Sequence, residues 1–168
     1  CVMIAAPHTS NWDALYARLA LKALGVNVRL TIKDSYMKLP FGPFVRAMGG
    51  IGIDRRVKQA GQERPSMVQL MSDLFKTHPK LVMLVTPEGT RSKQEQWKTG
   101  FYHVAMTAGV PIALAYMDYA KKKTGVGKMI YPTGNYEQDM AEIMAFYAEI
   151  NAKHPEKFSV DQRYANRK

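Results

Sequence analysis

His8 and Asp13 stand five positions apart, where an apolar run gives way to an amphipathic one, in the stretch Cys-Val-Met-Ile-Ala-Ala-Pro-His-Thr-Ser-Asn-Trp-Asp. An imidazole with a carboxylate on one ring nitrogen is held in one tautomer, and its other nitrogen is then available as a general base. On one continuous helix, residues at this spacing would point about 140° apart, so a turn must lie between them for the two groups to meet. The residues around them supply that turn. Residues 1–6 have the composition of a buried strand, and Trp12, Leu15, Tyr16 and Leu19 fall on one helical stripe that should pack inward. His8 is then at the carboxyl end of a strand and Asp13 in the first turn of a helix, where open α/β sheets place reactive groups. Ser10 and Asp13 also have the spacing of a helix capping box, a structural use of the same residues.

Three further polar clusters follow apolar strands. Asp54 closes a short strand expected over 50–54, Arg55 and Arg56 follow it, and Arg55 could present its planar fork to a phosphate or simply pair at the surface. Thr86, Pro87, Glu88, Gly89, Thr90 and Arg91 follow the continuously apolar run 81–85. A carboxylate and a guanidinium on so tight a turn could grip a hydroxyl and a phosphate, or bind each other. Trp97, Lys98, Thr99 and Gly100 then open a helix whose free amides favour an anion, with Lys98 adding charge there. One base beside several cations suits proton abstraction from an acceptor that carries a phosphate or another acidic group.

The elements that must position these groups alternate. Strands are expected over 26–32, 50–54, 81–85 and 110–117. Helices are expected from Met67 through Phe75, over Gly100–Ala108, and over 135–151, the last with Met140, Ile143, Met144, Tyr147 and Ile150 on one stripe. The segment 39–44 holds two prolines and a glycine, excluding regular structure, and its Phe41 and Phe44 should cover something apolar. Residues 121–127 have the composition of a basic turn, 128–131 of an edge strand, and the tail from His154 that of a peripheral segment. The pattern predicts one α/β domain over residues 1–168, with a largely parallel central sheet covered by helices. Because the chain opens inside a core strand and without methionine, further residues are expected upstream, such as a helix or membrane anchor.

Composition narrows the function. With 46% hydrophobic and 23% charged residues the chain belongs with globular proteins rather than disordered ones. Its four histidines (His8, His78, His103 and His154) form no pair at metal-ligand spacing, which argues against zinc. A single cysteine excludes an internal disulfide framework and fits a reducing compartment. No run of about 18 apolar residues is present to span a bilayer. Twenty-four Lys and Arg against fourteen Asp and Glu give a formal charge of +10, which favours anionic partners. Nucleic acid is the weaker of these, because the aromatics fall on expected core stripes instead of interleaving with basic residues. An anionic membrane surface is the stronger, with Lys121, Lys122, Lys123 and the Phe41 and Phe44 turn as its contacts, at the inner face of a cytoplasmic membrane.

The order His-x4-Asp, Ile-Asp-Arg, Pro-Glu-Gly-Thr-Arg and Val-Pro-Ile, running from His8 to Ile112, resembles the glycerolipid acyltransferase family, whose best-known members acylate lysophosphatidic acid or glycerol 3-phosphate. The resemblance implies a glycerol-3-phosphate acyltransferase-like fold, with His8 as the general base and Asp13 as its orienting group. It implies that Arg55 holds the acceptor's phosphate, that Glu88, Gly89, Thr90 and Arg91 form the rest of the acceptor site, and that Lys98 adds a phosphate contact. Val110, Pro111 and Ile112 would support the acyl-donor side by packing. The donor would be a thioester, acyl-CoA or acyl carrier protein, with no metal or redox cofactor. The chemistry agrees with the residue types: an activated thioester needs only a base on the attacking group, and the chain has no Gly-x-Ser-x-Gly elbow. Pro7 and Thr86 depart from the family's usual residues beside the first and third blocks, and neither change removes a reacting group. The alternatives are transfer to an amine or a different hydroxyl acceptor, as in an amino-lipid, and thioester hydrolysis by water.

Overall fold

Strand β1 (Val2–Ala6) carries no polar side chain and is buried almost throughout, as a strand covered on both faces must be. The computed structural model of the chain describes residues 1–33, 38, 40, 42–43, 49–53 and 66–165. In it β1 is followed by α1 (Asn11–Ala23), β2 (Val28–Lys33), β3 (Gly50–Ile53), α2 (Met67–Thr77), β4 (Val82–Val85), α3 (Gly100–Ala108), β5 (Ile112–Asp118), β6 (Lys123–Ile130) and α4 (Tyr136–Ala148). The sheet order is β3-β2-β4-β1-β5-β6; the first five strands named run parallel and β6 is antiparallel to β5 at the edge. This is the α/β architecture with a mostly parallel sheet that the alternating pattern predicts. Arg55, Asp54, Arg56, Phe41 and Phe44 lie outside the described residues. Among those described, no helix is long and apolar enough to cross a membrane.

Alternation along each strand divides the core in two. Val2, Ile4, Met83, Ile112 and Leu114 meet α2, α3 and α4 on one face, where Met140, Ile143, Met144 and Tyr147 of the α4 stripe are fully buried as expected. Met3, Ala113, Ala115 and Leu21 form a smaller cluster under α1 on the other face.

Three expectations are corrected. The stripe Trp12, Leu15, Tyr16 and Leu19 faces solvent instead of the sheet, with exposures of 45–54%. The capping box sets the helix phase: Asp13 must turn inward, and Ala17 and Leu21, one and two turns on, follow it onto the sheet side. The basic turn is shorter than 121–127, because the buried Asp118 carboxylate accepts Lys121 N–H at 2.8 Å and closes it, so that β6 starts at Lys123. Gly127, part of the turn signal, is a strand residue lying against Phe146, whose ring a Cβ there would meet at 2.5 Å. The tail is not peripheral. Asp161 is fully buried, accepts Trp97 N–H at 2.9 Å and pairs with Arg163, a local charge partner that lets so polar a segment enter the core.

Candidate active site

Because β1 is flanked by β4 and β5 in parallel, the carboxyl ends of all three open at one edge of the sheet. His8, two residues beyond β1, leads into the N-terminus of α1. Ser10 caps that helix by accepting Trp12 N–H at 3.2 Å, and the Asp13 carboxylate returns to accept the N–H groups of Thr9 and Ser10, both at 2.7 Å. The same Oδ2 lies 3.6 Å from His8 Nδ1, and Oδ1 accepts the Tyr119 hydroxyl at 2.7 Å. Asp13 therefore serves both as a cap and as the acid facing the imidazole. Burial alone would raise its pKa; the facing His8, Tyr119 and the two backbone N–H groups together hold it below the ordinary carboxyl value. With Nδ1 turned to Asp13, Nε2 is the nitrogen left for a substrate proton.

Glu88 enters from the neighbouring strand. It is buried, and its Oε2 accepts His8 N–H at 2.8 Å, a bond across 80 residues that ties the third motif to the first. Its Oε1 has no hydrogen-bond partner among the described residues. Desolvation, only partly offset by the His8 N–H, lifts the Glu88 pKa to about 7. The sign follows. Being raised above the ordinary 4.5, Glu88 contributes most below that pH, and its contribution is lost as pH climbs through about 7. Denaturant titrations should show Glu88→Gln flattening the pH dependence of stability over this window by roughly 3 kcal/mol relative to the parent chain. Identical pH profiles would count against the buried carboxyl.

Gly89 has φ of 70° and turns the chain back, with its N–H donating to Thr86 O at 3.1 Å. A Cβ there would meet Lys98 Nζ at 2.6 Å, so the absence of a side chain is what admits Lys98. Lys98 N–H in turn donates to Pro87 O at 2.8 Å. Thr90 and Arg91 continue this loop with exposed side chains. His8, Asp13, Glu88, Gly89 and Lys98 thus gather at one edge, and Thr90 and Arg91 leave from it. Val110, Pro111 and Ile112 do not join them. Pro111 O accepts Val2 N–H at the opposite, amino edge, and Ile112 is buried on the α2–α4 side.

Beneath α1 lies a cavity of about 500 Å³ with His8 and Asp13 in its wall. Its apolar lining includes Ala14, Ala17 and Leu21 of α1 opposite Ala5, Leu84 and Ala115 of the sheet. Alanine facing alanine cannot fill the space between helix and sheet, which is why the space is there.

A family model described as Acyltransferase matches residues 1–118. The chain belongs to the acyltransferase family. The 1-acyl-sn-glycerol-3-phosphate acyltransferases of Salmonella typhimurium and Salmonella typhi are each 28% identical to this family member over 128 residues, 74% of its length and 49% of theirs. The chain thus spans about half the length of these curated relatives. The crystal structure of the 1-acyl-sn-glycerophosphate acyltransferase of Thermotoga maritima is similar with a TM-score of 0.52 over 86% of this chain and 62% of that one; at 17% identity the likeness is one of fold. Tyr119, which falls just beyond the matched residues of this acyltransferase-family chain, carries no motif and was not legible as a site residue. Its only signal is topological: β5 pairs with β1, so the residue leaving β5 arrives beside the loop that leaves β1.

Proposed function

We propose that this chain moves a fatty acyl group from a thioester donor, acyl-CoA or acyl carrier protein, to a hydroxyl of a phosphorylated glycerolipid precursor such as lysophosphatidic acid. The observation that carries this reading is the His8–Asp13 pair opening onto an apolar cavity long enough to follow α1 from Asp13 to Leu21. A base at the mouth of a greasy pocket suits an acyl chain laid along the helix with its carbonyl beside the imidazole. His8 Nε2 takes the hydroxyl proton as the oxygen attacks the thioester carbonyl. The C–O bond forms, the C–S bond breaks, and the departing thiolate recovers the proton. Asp13 orients the imidazole, Glu88 braces the backbone that carries it, and Arg91, Lys98 and Arg55 hold the acceptor's phosphate, with Gly89 and Thr90 shaping the turn. The Salmonella relatives, 1-acyl-sn-glycerol-3-phosphate acyltransferases, support the same acceptor class.

Labelled acyl-CoA incubated with and without lysophosphatidic acid, read by mass spectrometry, tests the proposal. The expected product is phosphatidic acid, formed only with the acceptor. Free fatty acid released at one rate regardless of acceptor would mean hydrolysis and overturn it. The cavity adds a second expectation. Ala17→Phe should fill the middle of the pocket and lower kcat/KM for a hexadecanoyl donor about tenfold or more relative to an octanoyl donor. An unchanged chain-length profile would remove the cavity from the acyl path.

A further inference from the structure

Helix capping and base orientation draw on different oxygens of Asp13. Oδ2 accepts both backbone bonds, from Thr9 and Ser10 N–H at 2.7 Å, and the same atom lies 3.6 Å from His8 Nδ1. That gap is longer than a hydrogen bond, so the direction of the carboxylate decides whether it closes when the imidazole takes a proton. Two N–H groups on one oxygen hold that oxygen in place and leave the carboxylate plane soft. The other oxygen supplies the missing constraint: Oδ1 accepts the Tyr119 hydroxyl at 2.7 Å. The capping box is complete without this bond. Tyr119 is itself well held. Its N–H donates to Asn151 O at 2.9 Å, and the fully buried Asp118 before it accepts Lys121 N–H at 2.8 Å and Asn151 Nδ2 at 3.0 Å. Lys153 Nζ lies 5.8 Å from the centre of the phenol ring. His154 N–H, one residue on, donates to Thr9 Oγ1 at 3.3 Å, so the segment that grips the phenol also grips the loop that carries His8. Burial, and then the Asp13 carboxylate, push the phenol above the ordinary tyrosine pKa, so its hydroxyl stays a donor at any pH where the protein works.

We propose that Tyr119 is a positioning residue: its hydroxyl fixes the plane of the Asp13 carboxylate, and through it the tautomer and aim of the His8 imidazole. The phenol passes no proton and acts on the reacting atoms only through these two side chains. Its value to turnover rests on the acyl transfer proposed above; its hold on the imidazole does not. Bracing the start of α1 is the competing use of the same bond. The two uses differ in what the loss of the hydroxyl changes. A brace sets the melting temperature, whereas a positioning residue sets where the imidazole proton resides.

Tyr119→Phe removes the bond and keeps the ring beneath Lys153. Nitrogen NMR of the chain labelled at histidine reads the tautomer directly, with His8 identified by the signals missing from His8→Ala. In the parent chain Nδ1 should carry the proton, with the two ring nitrogens resonating far apart. In Tyr119→Phe they should move towards each other as both tautomers fill. Turnover should fall about tenfold or more, short of the loss on removing the base itself, with KM for the donor unchanged. Para-aminophenylalanine introduced at position 119 returns an N–H donor to the same place, and should restore the parent spectrum and most of the rate. Both chains should melt close to the parent, since the ring and the backbone bonds are kept. An unmoved His8 spectrum in Tyr119→Phe would overturn the proposal, whether or not the rate or the melting temperature falls. So would a loss of rate that the amino group fails to restore. The spectra need no substrate, so a chain that transferred no acyl group would still show whether Tyr119 sets His8.

Discussion

Replacing His8 with alanine should lower the turnover of acyl transfer by about 10²–10⁴-fold and leave the fold in place. The magnitude is that of a positioned general base, equivalent to roughly 3–5 kcal/mol of barrier. The fold is spared because the loop does not hang on the imidazole: its facing partner among the described residues, Asp13 at 3.6 Å, has three other donors to satisfy it. The backbone N–H that anchors the loop to Glu88 is kept by any residue. Steady-state kinetics at saturating donor and acceptor, with a thermal melt of the same preparation, measures both halves of the expectation. A loss confined to kcat, with KM for the donor unchanged, is the signature of a group that acts on the reacting atoms. Turnover equal to that of the parent chain would remove His8 from the chemistry.

Asp13→Asn should reach a similar loss of turnover by another route and take stability with it. The carboxylate accepts from Thr9 N–H, Ser10 N–H and the Tyr119 hydroxyl while facing His8. An amide keeps one oxygen for the Thr9 and Ser10 N–H groups and sets an NH₂ opposite the Tyr119 hydroxyl, which must turn to accept, so charge-assisted bonds become neutral ones in a buried site. Losing the charge from these bonds costs about 1–3 kcal/mol. The imidazole meanwhile loses the charge that fixes its tautomer, and turnover should fall about 10²–10⁴-fold. Denaturant unfolding and kinetics on one preparation separate the two substitutions: His8→Ala loses rate alone, Asp13→Asn loses both.

The sequence is most informative where periodicity and burial agree. The α4 stripe of Met140, Ile143, Met144 and Tyr147, and the apolar strands β1 and β4, fall where their patterns place them, since a strand covered on both faces has few other places to go. The pair His8 and Asp13 stands out by its place at a strand-to-helix turn, and the capping-box use of the same spacing is met alongside the facing of the two side chains. The stripe of α1 misleads for a physical reason. Its apolar residues are the larger, and periodicity alone sends them inward, but a capping carboxylate fixes which side of a helix faces the sheet before the apolar residues are consulted. Likewise the tail after His154 is polar enough to suggest a free end, yet Phe158, Val160 and Tyr164 pack on the core and Asp161, paired with Arg163, is buried with them. Tyr119 was invisible for a third reason: its partner is 106 residues away, and no local pattern encodes that distance.

The family match ends at residue 118, yet much of what steadies the loop that carries His8 comes after it. Tyr119 holds Asp13, Asn151 O receives Tyr119 N–H, His154 N–H donates to Thr9 Oγ1 at 3.3 Å, and Asp161 fixes the backbone of Trp97 beside Lys98. Motifs and scaffolding are thus written in different stretches of the gene. Substitutions in the later stretch can tilt the imidazole or shift the cationic loop while all four recognisable blocks stay intact, so homologues identical at every hallmark position are free to drift apart in rate and acceptor preference.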